Sequence, residues 1–229
     1  MKNLFVIPAR SGSKGIPNKN IKEINGIPMF VWSIIHAKYA AEKNDIICVS
    51  SDSQDYLDLA TKWGAETRLR PAKLASDTAP TEPVIKDVIN QYDLEDNDNI
   101  ILLEPTTPLR SKDSLDYLKR LIEHGEESIL SAKKVYEFEW EKLDNDYFKP
   151  SFAERPRRQD MNPKYIENGS IYLVKLRIFN ELNNRVGISS KIIVMNDIES
   201  IDIDGAEQLN LVKTLGLEFN KQWKKEVQK

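Results

Sequence analysis

Five short apolar runs recur along the chain, each emptying into a polar loop: Leu4 to Ile7, Asp45 to Ser50, Glu66 to Leu69, Ile100 to Leu103 and Ser128 to Ala132. Runs this short and this rich in branched aliphatics read as strands buried on both faces of a sheet. Helical spacing fills most of the intervals. Met29, Phe30, Trp32, Ile34, Ile35, Ala37 and Ala40 predict an amphipathic helix from Pro28 to about Glu42. Gln54 to Trp63, stopped by Gly64, predicts a second, and Val84, Ile85, Val88, Ile89 and Tyr92 a third. A fourth follows the capping residue Ser111 through Leu115, Leu118, Leu121 and Ile122 to Gly125. Strand and helix in strict alternation predict an α/β fold, a three-layer α/β/α sandwich around a mostly parallel sheet.

In such a sheet the loops leaving the carboxyl ends of the strands gather at one edge, where ligands bind. The first of them is the most distinctive, running Pro8-Ala9-Arg10-Ser11-Gly12-Ser13-Lys14-Gly15-Ile16-Pro17-Asn18-Lys19-Asn20 with three cations and no acid. Glycines let backbone N–H groups approach a phosphate, Arg offers a planar fork and Lys a point charge, so the loop suits a polyanion. Ordinary solvated charge is the plain alternative. The loop is not a Walker A motif, because Lys14 precedes Gly15 and Ile16 follows, and it lacks the third glycine of G-x-G-x-x-G. The same edge receives Asp52, the segment Arg70 to Asp77, and the turn Glu104 to Arg110, made rigid by Pro105 and Pro108. It also receives Asp202-Ile203-Asp204. On an extended segment these two carboxylates point to one side and repel unless a cation lies between them, and hard oxygen ligands suit magnesium. The alternative is that Asp204 caps the last helix and Asp202 is solvated.

From Val135 to about Glu167 the alternation breaks. Tyr136, Phe138, Trp140, Tyr147, Phe148 and Phe152 precede Arg155, Arg157 and Arg158 without helical spacing, which predicts a hairpin or arm. Aromatic residues and Arg are enriched in interface cores, so the arm is expected to meet a partner subunit unless it folds back on its own domain. Residues 1–134 and 170–229 are accordingly expected to form the main domain, and 135–169 an insertion. Gly169 to Val174, Leu176 to Leu182 and Lys191 to Met195 resume as strand, helix and strand, and a last helix passes through Leu209, Leu211, Val212 and Leu215.

A net charge of −3 on 229 residues makes the basic loop a local feature and gives no case for nucleic acid as a partner. The single cysteine, Cys48, lies in an apolar run and reads as a core thiol; with no internal disulfide possible, a reducing, cytoplasmic setting is expected. Four apolar residues before Pro8 are too few for a signal-peptide core, and no run approaches the ~18 of a membrane span, so no membrane partner is expected. His36 and His124 read as packing or surface residues.

Six motifs stand in one register from about Leu4 to Leu215: Pro8 to Gly15 with Lys19-Asn20, Arg70-Pro71-Ala72-x-Leu74-Ala75-Ser76-Asp77, Pro105-Thr106-x-Pro108-Leu109-Arg110, Arg158-Gln159, Asn168-Gly169, and Ser200-Ile201-Asp202-Ile203-Asp204. Together they resemble the acylneuraminate cytidylyltransferases, or CMP-sialic acid synthetases. The resemblance implies a Rossmann-like nucleotidyltransferase that moves CMP from CTP to the anomeric hydroxyl of a nine-carbon 2-keto sugar acid, releasing pyrophosphate. It implies nucleotide contacts at Ala9, Arg10, Ser13, Lys14, Lys19, Asn20, Arg70, Ser76 and Asp77, with Arg10 and Lys14 on the phosphates, Asn20 on the ribose and Arg70 to Asp77 on the cytosine. Glu104, Thr106, Arg158, Gln159 and Asn168 would face the sugar, Asp202 and Asp204 would bind Mg2+, and the arm would form a homodimer and reach into the neighbour's site. Arg10, Lys14, Glu104 and Asp202 are thus the catalytic candidates. Two positions depart from the family pattern: Glu104, often Gln, and Ile166, often Arg. A carboxylate in place of an amide changes charge and hydrogen-bond polarity, which opens legionaminate- or pseudaminate-like acids beside N-acetylneuraminate and makes Glu104 a candidate general base. Asp202-Ile203-Asp204 also spells the D-x-D of metal-dependent glycosyltransferases, the alternative enzyme, although the basic loop after the first strand argues against it. A nucleotide-binding regulatory module is the non-enzymatic alternative.

Overall fold

A computed structural model describes residues 1–13, 15–76 and 78–228. The chain runs β1 (Asn3–Pro8), β2 (Glu23–Ile24), β3 (Ile27–Pro28), α1 (Met29–Ala40), β4 (Ile46–Ser51), α2 (Gln54–Lys62), β5 (Glu66–Leu69), α3 (Thr81–Ile89), β6 (Asn99–Leu103), α4 (Lys112–Glu123) and β7 (Ser128–Val135). It continues through β8 (Trp140–Lys142), β9 (Phe148–Pro150), β10 (Lys164–Lys175), α5 (Leu176–Leu182), β11 (Lys191–Met195), α6 (Ala206–Phe219) and α7 (Lys224–Val227). Seven strands form the central sheet in the order β11-β7-β10-β6-β1-β4-β5. Neighbours run parallel except β10, which is antiparallel to both β6 and β7.

Alternate residues of one strand feed two cores, as the two-residue period of a strand requires. On β1, Phe5 and Ile7 join α1, α4 and α6, whereas Leu4 and Val6 join α3 and α5 on the other face. Cys48 belongs to the second core, where burial pushes its thiol up to about 11. Between β2 and β3 the pair Asn25-Gly26 takes positive φ at both residues, 55° and 79°, the two-residue hairpin turn for which Asn-Gly is the favoured sequence. That hairpin delivers the chain into α1.

The helix α1 corrects the expected amphipathic reading, being buried around nearly its whole circumference. Its polar residues Ser33 and His36 are covered rather than solvated. His36 packs at 4.6 Å from the Trp223 ring, and burial together with the nearby Arg110 charge holds its pKa well below the ordinary histidine value, so it stays neutral. Ser33 accepts a hydrogen bond from Arg110 at 3.2 Å. Arg110 itself is fully buried. One of its terminal nitrogens donates to the carbonyls of Glu104 at 2.6 Å and Ser170 at 2.8 Å, and to Thr107 Oγ1 at 3.2 Å.

The aromatic segment is a hairpin, β8 against β9, with Asn145 and Asp146 in left-handed conformation between them. Phe152 meets Phe138 and Trp140 edge-on, and the Arg155 guanidinium lies 4.2 Å from the Phe138 ring centre. Trp140, Tyr147 and Phe148 remain exposed. The insertion is rooted in the sheet more deeply than composition implies, since β10 begins at Lys164 and pairs with β7 up to Val135 before its register shifts between Glu167 and Tyr172.

Replacing Arg110 with Met leaves the Glu104 and Ser170 carbonyls short of a buried donor. Arg110→Met is expected to cost about 2–4 kcal/mol in urea unfolding with an unchanged slope; an unaltered midpoint would contradict the role given to this side chain.

Candidate active site

The basic loop is fastened to the sheet at both ends. Ala9 prolongs β1 by donating to the Ser50 carbonyl at 2.9 Å. Ser11 then donates from its backbone nitrogen and its hydroxyl to the two oxygens of Asp52, at 2.8 and 2.7 Å. Burial alone would raise the Asp52 pKa, but these two donors prevail and hold it below the usual carboxylate value. At the far end Lys19 donates to the Ile203 carbonyl at 2.6 Å and stands 3.7 Å from the Asp204 carboxylate. A Cβ on Gly15 would overlap the Asp204 carbonyl oxygen, so only glycine lets the loop close this tightly. The loop therefore lies directly against the two-aspartate segment, 184 residues away along the chain.

That segment is extended, with Ile203 buried and both aspartates exposed. Its backbone is pinned by the Ile203 N–H donating to the Thr106 carbonyl at 2.9 Å. The helix α6 is capped by Gly205, whose N–H is taken by Gln208 Oε1 at 3.0 Å, so Asp204 is not the cap that one reading allowed. Partial desolvation and the neighbouring Asp204 charge raise the Asp202 pKa, against a hydrogen bond from Thr106 and the charge of Lys19. Among the described residues no cluster of three or more metal-ligating side chains forms.

Two clefts meet at this segment. The first, about 350 Å3, is walled by Arg10, Ser13, Gly15, Lys19, Asn20, Arg70, Glu104, Thr106 and Asp204, together with the start of α3 at Thr81. The second, about 420 Å3, is walled by Asn168, Glu167, Tyr172, Ser200, Lys133 and Asp202. Asp204 thus faces one cleft and Asp202 the other. In the first, Asn20 donates to the Arg10 carbonyl at 2.9 Å while its Oδ1 is buried without a hydrogen-bond partner. Arg70, also buried, spends its guanidinium on Ser50 Oγ and the Ser50 carbonyl at 3.2 and 3.0 Å, clasping β4 rather than reaching into solvent. In the second, Asn168 is held on both sides of its amide, accepting from Ser131 Oγ at 2.6 Å and donating to Ser200 Oγ at 3.0 Å.

Glu104 is half-buried at the end of β6 and lines the first cleft. Desolvation pushes its carboxyl up to about 7 despite the pull of Arg185 and Arg110. A carboxyl poised there can exchange a proton at neutral pH. Arg158 and Gln159 are exposed on the arm and Ser76 on the loop after β5; none of the three lines either cleft. Lys14 and Asp77 lie outside the described residues. Arg185, which sequence reasoning passed over, pairs with Glu82 at 2.9 Å and lies over the Tyr172 ring. It stands in an Asn-, Gly- and Ser-rich stretch with no spacing pattern, so nothing local marks it.

Known proteins resemble the chain in sequence and in fold. A family model described as Cytidylyltransferase matches residues 4–222. The chain is 31% identical to the post-translational flagellin modification protein B of Campylobacter coli, covering 96% of this chain and 97% of that protein. It is 31% identical to the CMP-N,N'-diacetyllegionaminic acid synthase of Legionella pneumophila, covering 89% and 91%. It is 32% identical to an N-acylneuraminate cytidylyltransferase of Streptococcus agalactiae over 76% of this chain, and spans only 43% of that longer relative. In fold it is similar to a CMP:2-keto-3-deoxy-manno-octonic acid synthetase solved with CTP, at a TM-score of 0.67 and 16% identity, covering 95% of this chain and 99% of that one. With the family model spanning nearly the whole sequence and two relatives matching end to end, the chain belongs to the cytidylyltransferases.

Proposed function

We propose that this cytidylyltransferase moves CMP from CTP to the anomeric hydroxyl of a nine-carbon 2-keto sugar acid, and that the acid is legionaminate-like. The observation that carries the reading is the closure of the basic loop on the two-aspartate segment, which sets a cationic cleft and a second, hydroxyl- and amide-lined cleft on either side of one strand of chain. The names of the Legionella and Streptococcus relatives support the sugar class, and the end-to-end Legionella match favours the legionaminate branch.

In this reading the triphosphate lies along the first cleft with Arg10, Ser13 and Lys14 on its phosphates. The orphaned Asn20 Oδ1 takes a ribose hydroxyl, which satisfies a buried acceptor that otherwise lacks a donor. Arg70 shapes the base pocket through the loop it holds, together with Ser76 and Asp77. The sugar occupies the second cleft against Asn168, with Thr106 at the junction. The anomeric oxygen forms a bond to the α-phosphorus while the bond from that phosphorus to the β-phosphate oxygen breaks, and pyrophosphate leaves with the electron pair. Glu104 takes the hydroxyl proton, and the cationic loop neutralises the charge that develops on the phosphates. Asp202 and Asp204 face different clefts rather than one side, yet as two exposed carboxylates separated by one residue at the junction they suit Mg2+ and would hold it with hard oxygen ligands. When bound there, the ion supplies positive charge beside the phosphates. The exposed aromatic hairpin joins two copies in a homodimer and turns Arg158 and Gln159 toward the neighbour's sugar cleft. The single buried thiol Cys48 suits a cytoplasmic enzyme.

A panel of nonulosonic acids offered with CTP and Mg2+ tests the reading through pyrophosphate release. Legionaminate-like acids are expected to turn over fastest, and CTP binding without turnover on any acid would favour the regulatory-module alternative. Because Glu104 must be ionised to accept a proton, kcat is expected to rise with pH through about 7 and level off above. Glu104→Gln should remove that limb and cut kcat at least about a hundredfold; normal turnover would end the general-base role. Gly15→Ala is expected to lower kcat/KM for CTP about tenfold or more with the melting temperature nearly unchanged, and wild-type kinetics would show that the loop can close without the glycine. Asp202→Asn is expected to move the Mg2+ titration midpoint upward by about tenfold or more, whereas an identical titration would remove Asp202 from the metal site.

A further inference from the structure

Arg185 lies in the stretch 183–190 between α5 and β11 and lines neither cleft, yet its setting is not that of a surface arginine. A terminal nitrogen pairs with Glu82 Oε1 in the first turn of α3 at 2.9 Å. Its guanidinium carbon is 4.8 Å from the centre of the Tyr172 ring. Its Nε is buried and has no hydrogen-bond partner.

These contacts tie both clefts to one cation. Glu82 follows Thr81, which lines the first cleft. Tyr172 lines the second, and its hydroxyl donates to Glu167 in the same wall. Glu104, at the end of β6, feels four charged neighbours: Arg185 from the loop after α5, Arg110 from its own turn, Asp202 from the segment before α6, and Arg70 from the end of β5. Arg185 is placed to act on it: Tyr172, whose ring lies under the guanidinium, pairs with Leu102, and the Glu104 N–H two residues on donates to the Ser170 carbonyl at 3.2 Å, so the ring and Glu104 stand on one face of neighbouring strands. Arg110 is already committed to the Glu104 and Ser170 carbonyls, and Arg70 to Ser50. Packing against an aromatic face and pairing with one acid hold a guanidinium in place at little further entropy cost, because the fork is rigid.

We infer that Arg185 is a positioning residue for the transfer reaction, fixed by Glu82 and Tyr172 so that its charge keeps Glu104 a carboxylate ready to take the anomeric proton. The inference rests on the general-base role of Glu104 proposed above. Arg185 neither gives nor receives the proton, which passes from the sugar hydroxyl to Glu104. Removing the cation disfavours the carboxylate, so the Glu104 pKa must rise and the acidic limb of the rate profile must move to higher pH.

The test is the pH dependence of kcat for the wild type, Arg185→Met and Arg185→Lys, each checked by circular dichroism and thermal melting. In Arg185→Met the acidic limb is expected to move up by about one pH unit, which is about a tenfold loss of rate on the acid side and little loss on the alkaline plateau. Arg185→Lys, which keeps the charge, should hold the limb near its wild-type position. Arg185→Gln carries the same expectation as Met if the Met variant does not fold. A folded Met or Gln variant whose limb stays in place, or whose rate falls equally at every pH, overturns the inference. A wild-type profile in Glu104→Gln would overturn the general-base role and this inference together; a flat Glu104→Gln profile beside an unmoved Arg185→Met limb overturns this one alone.

Discussion

The Arg110 guanidinium joins three pieces of chain that share no local sequence: the turn after β6 through the Glu104 carbonyl, β10 through the Ser170 carbonyl, and α1 through Ser33. Burial pushes its pKa down, and the partial charges of the carbonyls compensate for lost water. Because those bonds converge on one planar fork, the turn from Glu104 to Thr107 has little freedom, and Glu104 and Thr106 project from a fixed base. Trp223 Nε1 donates to the Arg110 carbonyl at 3.1 Å, so the C-terminal helices close over the same point. The site borrows its precision from this hub, since a reacting carboxylate is useful only when its position is set by groups that do not take part in the chemistry.

A second constraint acts on the nucleotide side. Lys19 and Gly15 bring the first loop of the chain against its last extended segment, and the cost of ordering that glycine-containing loop is offset by contacts at both ends. Charge is arranged in opposition across the junction, cations on the loop and carboxylates at Glu104, Asp202 and Asp204. A triphosphate and a sugar acid are both anionic, and in the proposed reaction such a division would let one pole hold the phosphates while the other supplies a base. In this chain's sheet these elements fall at one edge by topology.

Much of this was legible in the residues. Ile100 to Leu103 and the run before Ser51 announce buried strands because no polar residue interrupts them, and the candidate loops follow from lying at strand ends. Direction was less legible: nothing in Gly169 to Val174 says that β10 runs antiparallel, because strand direction depends on how the whole arm returns to the sheet. Local pattern misled on α1, where apolar spacing predicts an amphipathic helix although Arg110 and Trp223 cover even Ser33 and His36. Arg70 shows the same limit, since its place in a ligand-edge loop gives no sign that its guanidinium also clasps Ser50 and the Leu74 carbonyl. Arg185 was invisible for the converse reason, its partners Glu82 and Tyr172 being distant along the chain.

In the proposed transfer the sugar's own anomeric oxygen attacks the α-phosphorus. Phosphorus NMR of the CMP-sugar formed from an acid carrying heavy oxygen at the anomeric hydroxyl tests it most directly. Attack by that oxygen gives an isotope-shifted signal for the single phosphorus of the product, with the label in the carbon–oxygen–phosphorus bridge and none in pyrophosphate. An unshifted product signal with the label released to water would mean that a phosphate oxygen attacks the anomeric carbon, and would contradict the mechanism.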